Sequence, residues 1–392
     1  MSIVARDANV TGCPRRVLFA TVDSNWAGAQ RQMLELAAGL DRAEFEPVVL
    51  TTGDGGLVAR SRAAGIPTHV LRYGLMRRHF PFLSYYTLGP VALRALLHRE
   101  RIALVHTHCP NSAVPIMQAG RGLNLPLAAH VHDFDQRWVT PRTLPVQNRR
   151  RSTVVAVSDA IARYVLDRGV AQARVRRIYN GIHLPAFPTD ARVRARRELA
   201  IGDGEIAVGL VGRLVPRKGA ADLIRAIAAP ELGGVPVRAF LIGDGYKNDD
   251  FVAELRRLVA ELGVEPRIVF VGPHGAAAAL HAGFDIAAVP ARREAFGSVV
   301  IEAMHAGVPI VAYREAALPE LVRDECDGIV VESGDISALA RAIARLADSA
   351  PLRARLGARG RERAHDFSHE QFVRNVTTLY RELLADREPP GE

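Results

Sequence analysis

Two short segments hold residue types that could manage a phosphorylated ligand. The first is Val211-Gly-Arg-Leu-Val-Pro-Arg-Lys-Gly219. Gly212 permits a sharp turn after an apolar run, and Arg213 and Lys218 place two cations ahead of a helical stretch that Gly219 opens. A guanidinium fork, a compact ammonium and the free amides of a helix start together suit a diphosphate. Taken alone, the segment reads equally well as a solvated basic turn. The second is Glu294-Ala-Phe-Gly-Ser-Val-Val-Ile-Glu302. Ser298 is placed to cap a helix that carries Glu302 in its second turn, with Glu294 in the loop before it. Ionised carboxylates only accept hydrogen bonds, so beside a diphosphate their natural partners are the hydroxyls of a sugar and a ribose. The plain alternative is a loop charge and a solvated helix residue.

Other chemistry-bearing residues cluster in the first half. His130-Val-His-Asp-Phe-Asp135 follows an apolar run, and His132 is the residue there best placed to act, although 13 histidines in the chain make a satisfied loop histidine the default. His106 and His108 are read as structural. Asp133 and Asp135 form a DxD pair, a pattern that can hold a divalent metal over a diphosphate. Arg213 and Lys218 already supply that charge, so no metal is expected. Ile242-Gly-Asp-Gly245 does not complete a dinucleotide fingerprint and is read as a loop near a nucleotide base. Arg72, Arg77, Arg78, His79 and Arg94 lie among Phe80, Phe82, Tyr85 and Tyr86. Residues 72–101 therefore suit an anionic membrane surface as well as they suit a basic loop leading into a core helix.

These residues must be held by an alternating framework. Strands are expected at Val17–Thr21, Pro47–Thr51, His69–Leu71, Ala103–Thr107, Leu127–Val131 and Thr153–Val157, with helices at Gln30–Leu40, Gly56–Ala64, Pro90–Arg99 and Asp159–Asp167. The polar, Arg-rich stretch Pro185–Ala200 suits a connection. A second series has strands at Ile206–Val211, Ala239–Ile242, Ile268–Val271, Ile286–Pro290, Pro309–Ala312 and Gly328–Val331. Its helices are expected at Ala220–Ala229, Phe251–Leu262, Ala276–His281, Ser298–Ala306 and Ile336–Asp348, and His369–Ala385 closes the chain. This rhythm predicts an α/β protein of two doubly wound parallel-sheet domains, with ligand at the C-terminal ends of the strands in a cleft between them.

Composition sets the outer bounds. The chain has 392 residues, 48% hydrophobic and 24% charged, with a net charge of +9. Only Lys218 and Lys247 among its 51 basic residues are lysine. Residues 1–185 carry +12 and residues 186–392 carry −3, so the first half is the one suited to an anionic partner. Three scattered cysteines, Cys13, Cys109 and Cys326, exclude a disulfide framework or a CxxC zinc site and fit a reducing compartment. No signal peptide or spanning apolar run is read, so a cytoplasmic protein is expected, with any membrane contact peripheral and on the inner face.

Taken together, the two segments resemble the retaining GT-B glycosyltransferases of glycosyltransferase family 4, which includes bacterial mannosyl-, glucosyl- and N-acetylglucosaminyltransferases. Their signature is G-R-x3–4-K-G with E-x7-E further along. Val157-Ser-Asp159, Ile178-Tyr-Asn-Gly-Ile182, Glu302-Ala-Met-His-Ala-Gly-Val-Pro309, Pro319-Glu320 and Gly328 also match. The resemblance implies two Rossmann-like domains: residues 1–185 for the acceptor and 186–365 for the nucleotide sugar. Residues 366–392 would be a helix crossing back and a tail. It implies that Arg213 and Lys218 hold the donor diphosphate, Glu294 a sugar hydroxyl and Glu302 the ribose. The amides of Phe296, Gly297, Ser298 and Val299 would face phosphate, Gly28 would allow close approach in the loop Asn25–Gln30, and His132 would lie near the reacting centre. The chain departs from the pattern at Ala27, Ala291 and Ala316-Ala317, where the family more often has Gly, Ser and Gly-Gly. The expected partners are a nucleotide-sugar donor and a hydroxyl acceptor, without cofactor, metal or nucleic acid. The pathway would be glycolipid, surface polysaccharide or glycoconjugate synthesis. A nucleotide-sugar epimerase or inverting transferase of the same fold, and a basic membrane- or nucleic-acid-binding module, are the alternatives.

Overall fold

The computed structural model describes residues 13–71, 82–245 and 249–385. The chain divides into two compact units. Among the described residues, the first comprises 13–157, 161–179 and 372–385, and the second 158–160 and 180–371.

The first unit is built on seven parallel strands: β1 (Arg15–Ala20), β2 (Phe45–Thr51), β3 (Thr68–Val70), β4 (Ile102–Thr107), β5 (Leu127–Val131), β6 (Ser152–Ala156) and β7 (Val175–Arg177). Their order is β3-β2-β1-β4-β5-β6-β7. Both faces are covered, which is why strands such as Val17–Ala20 and Leu127–Val131 are buried along their whole length rather than alternating. One face packs Val17, Phe19, Leu104 and Ala128 against Met33 and Leu36 of helix Gly28–Gly39. The same cluster takes in Phe372, Val376, Leu379, Tyr380, Leu383 and Leu384 from the last helix, His369–Ala385. The chain therefore returns, after the whole second unit, to complete the first unit's core. The opposite face packs Leu18, Val48 and Val105 against Leu93, Leu97 and Ile116.

The second unit holds β8 (Ile206–Val211), β9 (Val237–Ile242), β10 (Ile268–Gly272), β11 (Ile286–Val289), β12 (Ile310–Tyr313) and β13 (Gly328–Val331), again all parallel, in the order β10-β9-β8-β11-β12-β13. In each sheet the order reverses beside the first strand, between β1 and β4 and between β8 and β11. Loops diverge at such a switch point and leave room for a ligand.

Several elements differ from the expectation. Pro185–Ala200 is not simply a connection, because Ala191–Glu198 is a helix, tied to Asp285 by Arg192 and Arg196. Helices Pro110–Ala119 and Ala350–Ala364 and strand β7 were not expected. The helix expected from Pro90 begins at Phe82 and carries Pro90 within it. Among the described residues, no helix is long and apolar enough to cross a membrane. Of the candidate membrane surface, residues 72–81 lie outside the described residues.

Candidate active site

In the second unit, the switch point explains why the two chemistry-bearing segments meet. β8 and β11 are hydrogen-bonded neighbours, with Ile286 opposite Val208. The Arg213–Lys218 loop leaves the C-terminal end of β8, and Glu294 lies in the loop leaving β11. The first loop turns through a short 3-10 helix, Pro216–Lys218, into helix Ala220–Ala228. Gly219 joins them in the left-handed region, φ 76°, and a Cβ there would lie 1.9 Å from the carbonyl oxygen of Pro290. Only glycine lets the β8 loop approach the β11 loop so closely. The amide of Arg292 donates to the carbonyl of Arg217 at 2.7 Å, a second backbone tie between the loops.

The consequence is a direct contact between Lys218 Nζ and Glu294 Oε2 at 2.5 Å, with the two side chains only 17% and 11% exposed. Arg217 brings a second cation to the same oxygen at 3.9 Å. Sequence reasoning placed Lys218 and Glu294 in one site but missed Arg217, whose only signal was its place beside Lys218. A further brace was also missed: Arg292 pairs with Asp222 at 2.8 Å, and the hydroxyl of Tyr313 donates to the same carboxylate at 2.9 Å. Burial and the nearby Asp222 charge push the Tyr313 phenol up, so it stays a donor.

Ser298 does not cap the following helix. Helix Ser298–His305 starts from Gly297 at φ 96°, with no side-chain cap, so its first amides stay available in the way a helix start requires for an anion. The Phe296 ring is buried against Phe367 at 6.3 Å between centroids, which leaves its backbone rather than its ring to face a ligand. Glu302 lies in the second turn, with its side chain 23% exposed and His281 Nε2 3.9 Å away. Burial lowers His281 to about 4, so this neighbour is neutral at pH 7 and leaves Glu302 its acceptor character. The glycines of Ile242–Gly245 have a backbone role: a Cβ on Gly243, at φ 141°, would meet the carbonyl oxygen of Gly212 at 2.0 Å. The turn after β9 is thus packed on the start of the Arg213 loop.

In the first unit, Gly28 is the first residue of helix Gly28–Gly39, after Ala27. Among the described residues, a Cβ at Gly28 would meet nothing within 4 Å, so they leave open space at that helix start. His132 follows β5 and its Nε2 lies 2.9 Å from Nδ1 of His108, a residue read from sequence as structural. The signal that could have linked them is the i, i+2 spacing of His106/His108 and His130/His132 on two apolar runs, which puts all four on one face. Burial drives all four below the ordinary imidazole range, with His106 and His132 at about 3.

Within the first unit, two groupings could be considered for a metal. Asp133 accepts hydrogen bonds from Trp138 Nε1 and the Asp135 amide, and Asp135 caps the turn Gln136–Trp138 while pairing with Arg137. The DxD carboxylates are therefore committed to a local turn. His106, His108 and His130 offer ring nitrogens within 4.8 Å of one another, but among the described residues no carboxylate joins that group to offset a dication.

The two chain halves match two family descriptions: "Glycosyltransferase Family 4" over residues 26–185 and "Glycosyl transferases group 1" over residues 192–363. A D-inositol 3-phosphate glycosyltransferase of Salinispora tropica is 33% identical over 97% of the chain and 88% of its own length. The chain belongs to glycosyltransferase family 4. Its fold is that of other GT-B glycosyltransferases. Anabaena HepE, solved in complex with UDP, superposes with a TM-score of 0.82 at 24% identity, covering 94% of this chain and all of that one. A sucrose-phosphate synthase from Thermosynechococcus elongatus gives 0.74 at 24% identity, covering 95% and all of that chain. In this family 4 glycosyltransferase, the signature residues from Arg213 to Glu302 all belong to the second unit, and Gly28 and His132 to the first.

Proposed function

We propose that this glycosyltransferase moves a sugar from a nucleotide diphosphate sugar to a hydroxyl acceptor, with retention at the anomeric carbon and without a metal. The observation that carries the reading is the Lys218–Glu294 contact. It places a half-buried cation and a buried carboxylate side by side, and a nucleotide sugar presents both a diphosphate and hydroxyls. On binding, the diphosphate takes Lys218 and Arg213 as counter-charges, and Glu294 turns to a sugar hydroxyl. Glu302 accepts from the ribose, and the opening amides of helix Ser298–His305 serve the phosphate. From the first unit, Gly28 leaves room for phosphate and His132 donates to the sugar. The relatives named D-inositol 3-phosphate glycosyltransferase support a small hydroxylated or phosphorylated acceptor, and the UDP bound to HepE makes a UDP-sugar the first donor to test.

In the proposed step the bond from the anomeric carbon to the leaving phosphate breaks. The acceptor oxygen bonds to the same face, and its proton passes to a departing phosphate oxygen. Arg213, Lys218 and the helix amides stabilise the charge that develops there, the largest single contribution expected. Thermal-shift screening of UDP-, GDP- and ADP-sugars should find one that raises Tm by mass action. NMR of the product should then show the donor's anomeric configuration, and EDTA should leave the rate unchanged. An inverted product would overturn retention, and a rate lost to EDTA and restored by a divalent cation would overturn metal independence.

A further inference from the structure

His106 and His130 lie in the neighbouring strands β4 and β5, and His108 and His132 just past their ends, so that the four rings share one face. His106 lies opposite Ala128 in the register, and the rings overlap along and across the strands. His106 and His108 have centroids 4.4 Å apart, His130 and His132 4.3 Å, and His108 and His132 5.1 Å. The inner end of the array is anchored by the hydroxyl of Tyr380, 2.5 Å from His106 Nδ1. At the outer end, His108 Nδ1 faces His132 Nε2 at 2.9 Å. His108 is buried and its other nitrogen, Nε2, has no hydrogen-bond partner among the described residues.

Two neutral imidazoles in such a contact share one N–H, and there are two ways to place it. If His132 donated, His108 would carry its own proton on Nε2, an N–H buried without an acceptor. If His108 donates from Nδ1, its buried Nε2 is only a lone pair. Orphaned buried N–H groups are the rarer and costlier of the two in folded proteins. We infer that His108 is a positioning residue for His132: it donates Nδ1–H to His132 Nε2 and so fixes His132 in the tautomer that carries its proton on Nδ1. His132 then offers one polar function, an Nδ1–H donor. It suits an oxygen acceptor such as a sugar hydroxyl or a phosphoryl oxygen. With Nε2 already accepting and Nδ1 already protonated, His132 is not the base that removes the acceptor's proton. That agrees with transfer of the proton to the leaving phosphate. The buried surroundings that depress both imidazoles keep the pair neutral through the working pH range.

The kinetic consequence rests on the reading that His132 meets the donor sugar, whereas the tautomer does not, so the two are tested separately. Long-range 1H–15N correlation on the 15N-labelled full chain reads the ring tautomers, and the signal lost in His132→Gln identifies His132. The expected pattern is Nδ1–H in the wild type and in His108→Asn, whose amide nitrogen can stand where Nδ1 was. His108→Leu removes the donor, and His132 should revert to the Nε2–H form that free imidazole side chains prefer. An Nε2–H His132 in the wild type overturns the inference without any variant having to fold. In steady-state kinetics, His108→Leu should lower kcat about 10-fold with donor KM nearly unchanged, as loss of an orienting partner does, and His108→Asn should recover most of it. If the tautomer changes as expected while kcat does not, the role of His132 at the sugar is overturned and the tautomer assignment stands.

Discussion

Lys218 and Glu294 touch, and that contact sets what each substitution does. On the proposed reading, Lys218→Ala removes a counter-charge for the leaving phosphate, and it takes from Glu294, only 11% exposed, its nearest cation and leaves Arg217 at 3.9 Å. Catalysis should fall by roughly 10²–10³ in kcat, the range for losing one group that stabilises developing charge, and donor KM should rise. Glu294→Gln removes one negative charge from beside Lys218 while keeping an oxygen acceptor. Donor binding, measured by calorimetry, should therefore suffer less than in Glu294→Ala. At this scale the sequence was legible where function rests on residue type and order, as in the two signature segments. It was silent on contacts that only folding creates. Asp222, Tyr313 and Arg292 are far apart in the chain and ordinary in type, yet one carboxylate ties them together. His108 looked like any buried histidine until β4 and β5 were placed side by side.

Turns and strands carry their own predictions. Gly219→Ala forces a left-handed residue with a side chain into the Pro290 carbonyl, at a cost of more than ~1 kcal/mol. Urea unfolding should show that loss. Because the β8 loop must retreat, donor affinity should fall with it, although residue 219 carries no functional group. The histidine face of β4 and β5 makes a pH prediction. An unfolded imidazole titrates near 6.5 and the folded His106 near 3, so between those values the unfolded chain binds more protons. Stability is therefore complete above about pH 6.5 and declines as the pH falls toward 3, by at most ~1.4 kcal/mol per pH unit for each such histidine. Urea midpoints at pH 7.5, 6 and 5 should fall in that order, and His106→Leu should flatten the trend. Most strands were legible because a parallel sheet covered on both faces writes itself as short apolar runs. The missed helices were those whose composition argues for breaks. Helix Pro110–Ala119 carries Pro110 in its first turn, where a missing N–H costs nothing. In Ala350–Ala364, burial of Leu356, Gly357, Gly360 and Ala364 outweighs the poor propensity of glycine.

For the whole molecule, the decisive feature is that the first unit is closed by the end of the chain. Six side chains of the last helix, from Phe372 to Leu384, are buried in that core, and Arg381 makes a two-pronged pair with Glu44. At ~1.5–3 kcal/mol each as an upper estimate, their loss rivals the ~5–15 kcal/mol that holds an ordinary domain together. A chain ending at Gln371 should therefore lose hydrogen-exchange protection across residues 13–71, 82–157 and 161–179 while residues 158–160 and 180–371 keep theirs. The same closure orders events during synthesis. Residues 13–179 leave the ribosome well before helix His369–Ala385, so their unit cannot be finished until that helix arrives, and at ~5–20 residues per second that wait lasts roughly 10–40 s. The second unit, which holds Arg213, Lys218, Glu294 and Glu302, has its sequence complete first. Of the two units, the one made earlier therefore matures later, and its unclosed sheet face, histidines included, is what any chaperone would have to cover in the interval.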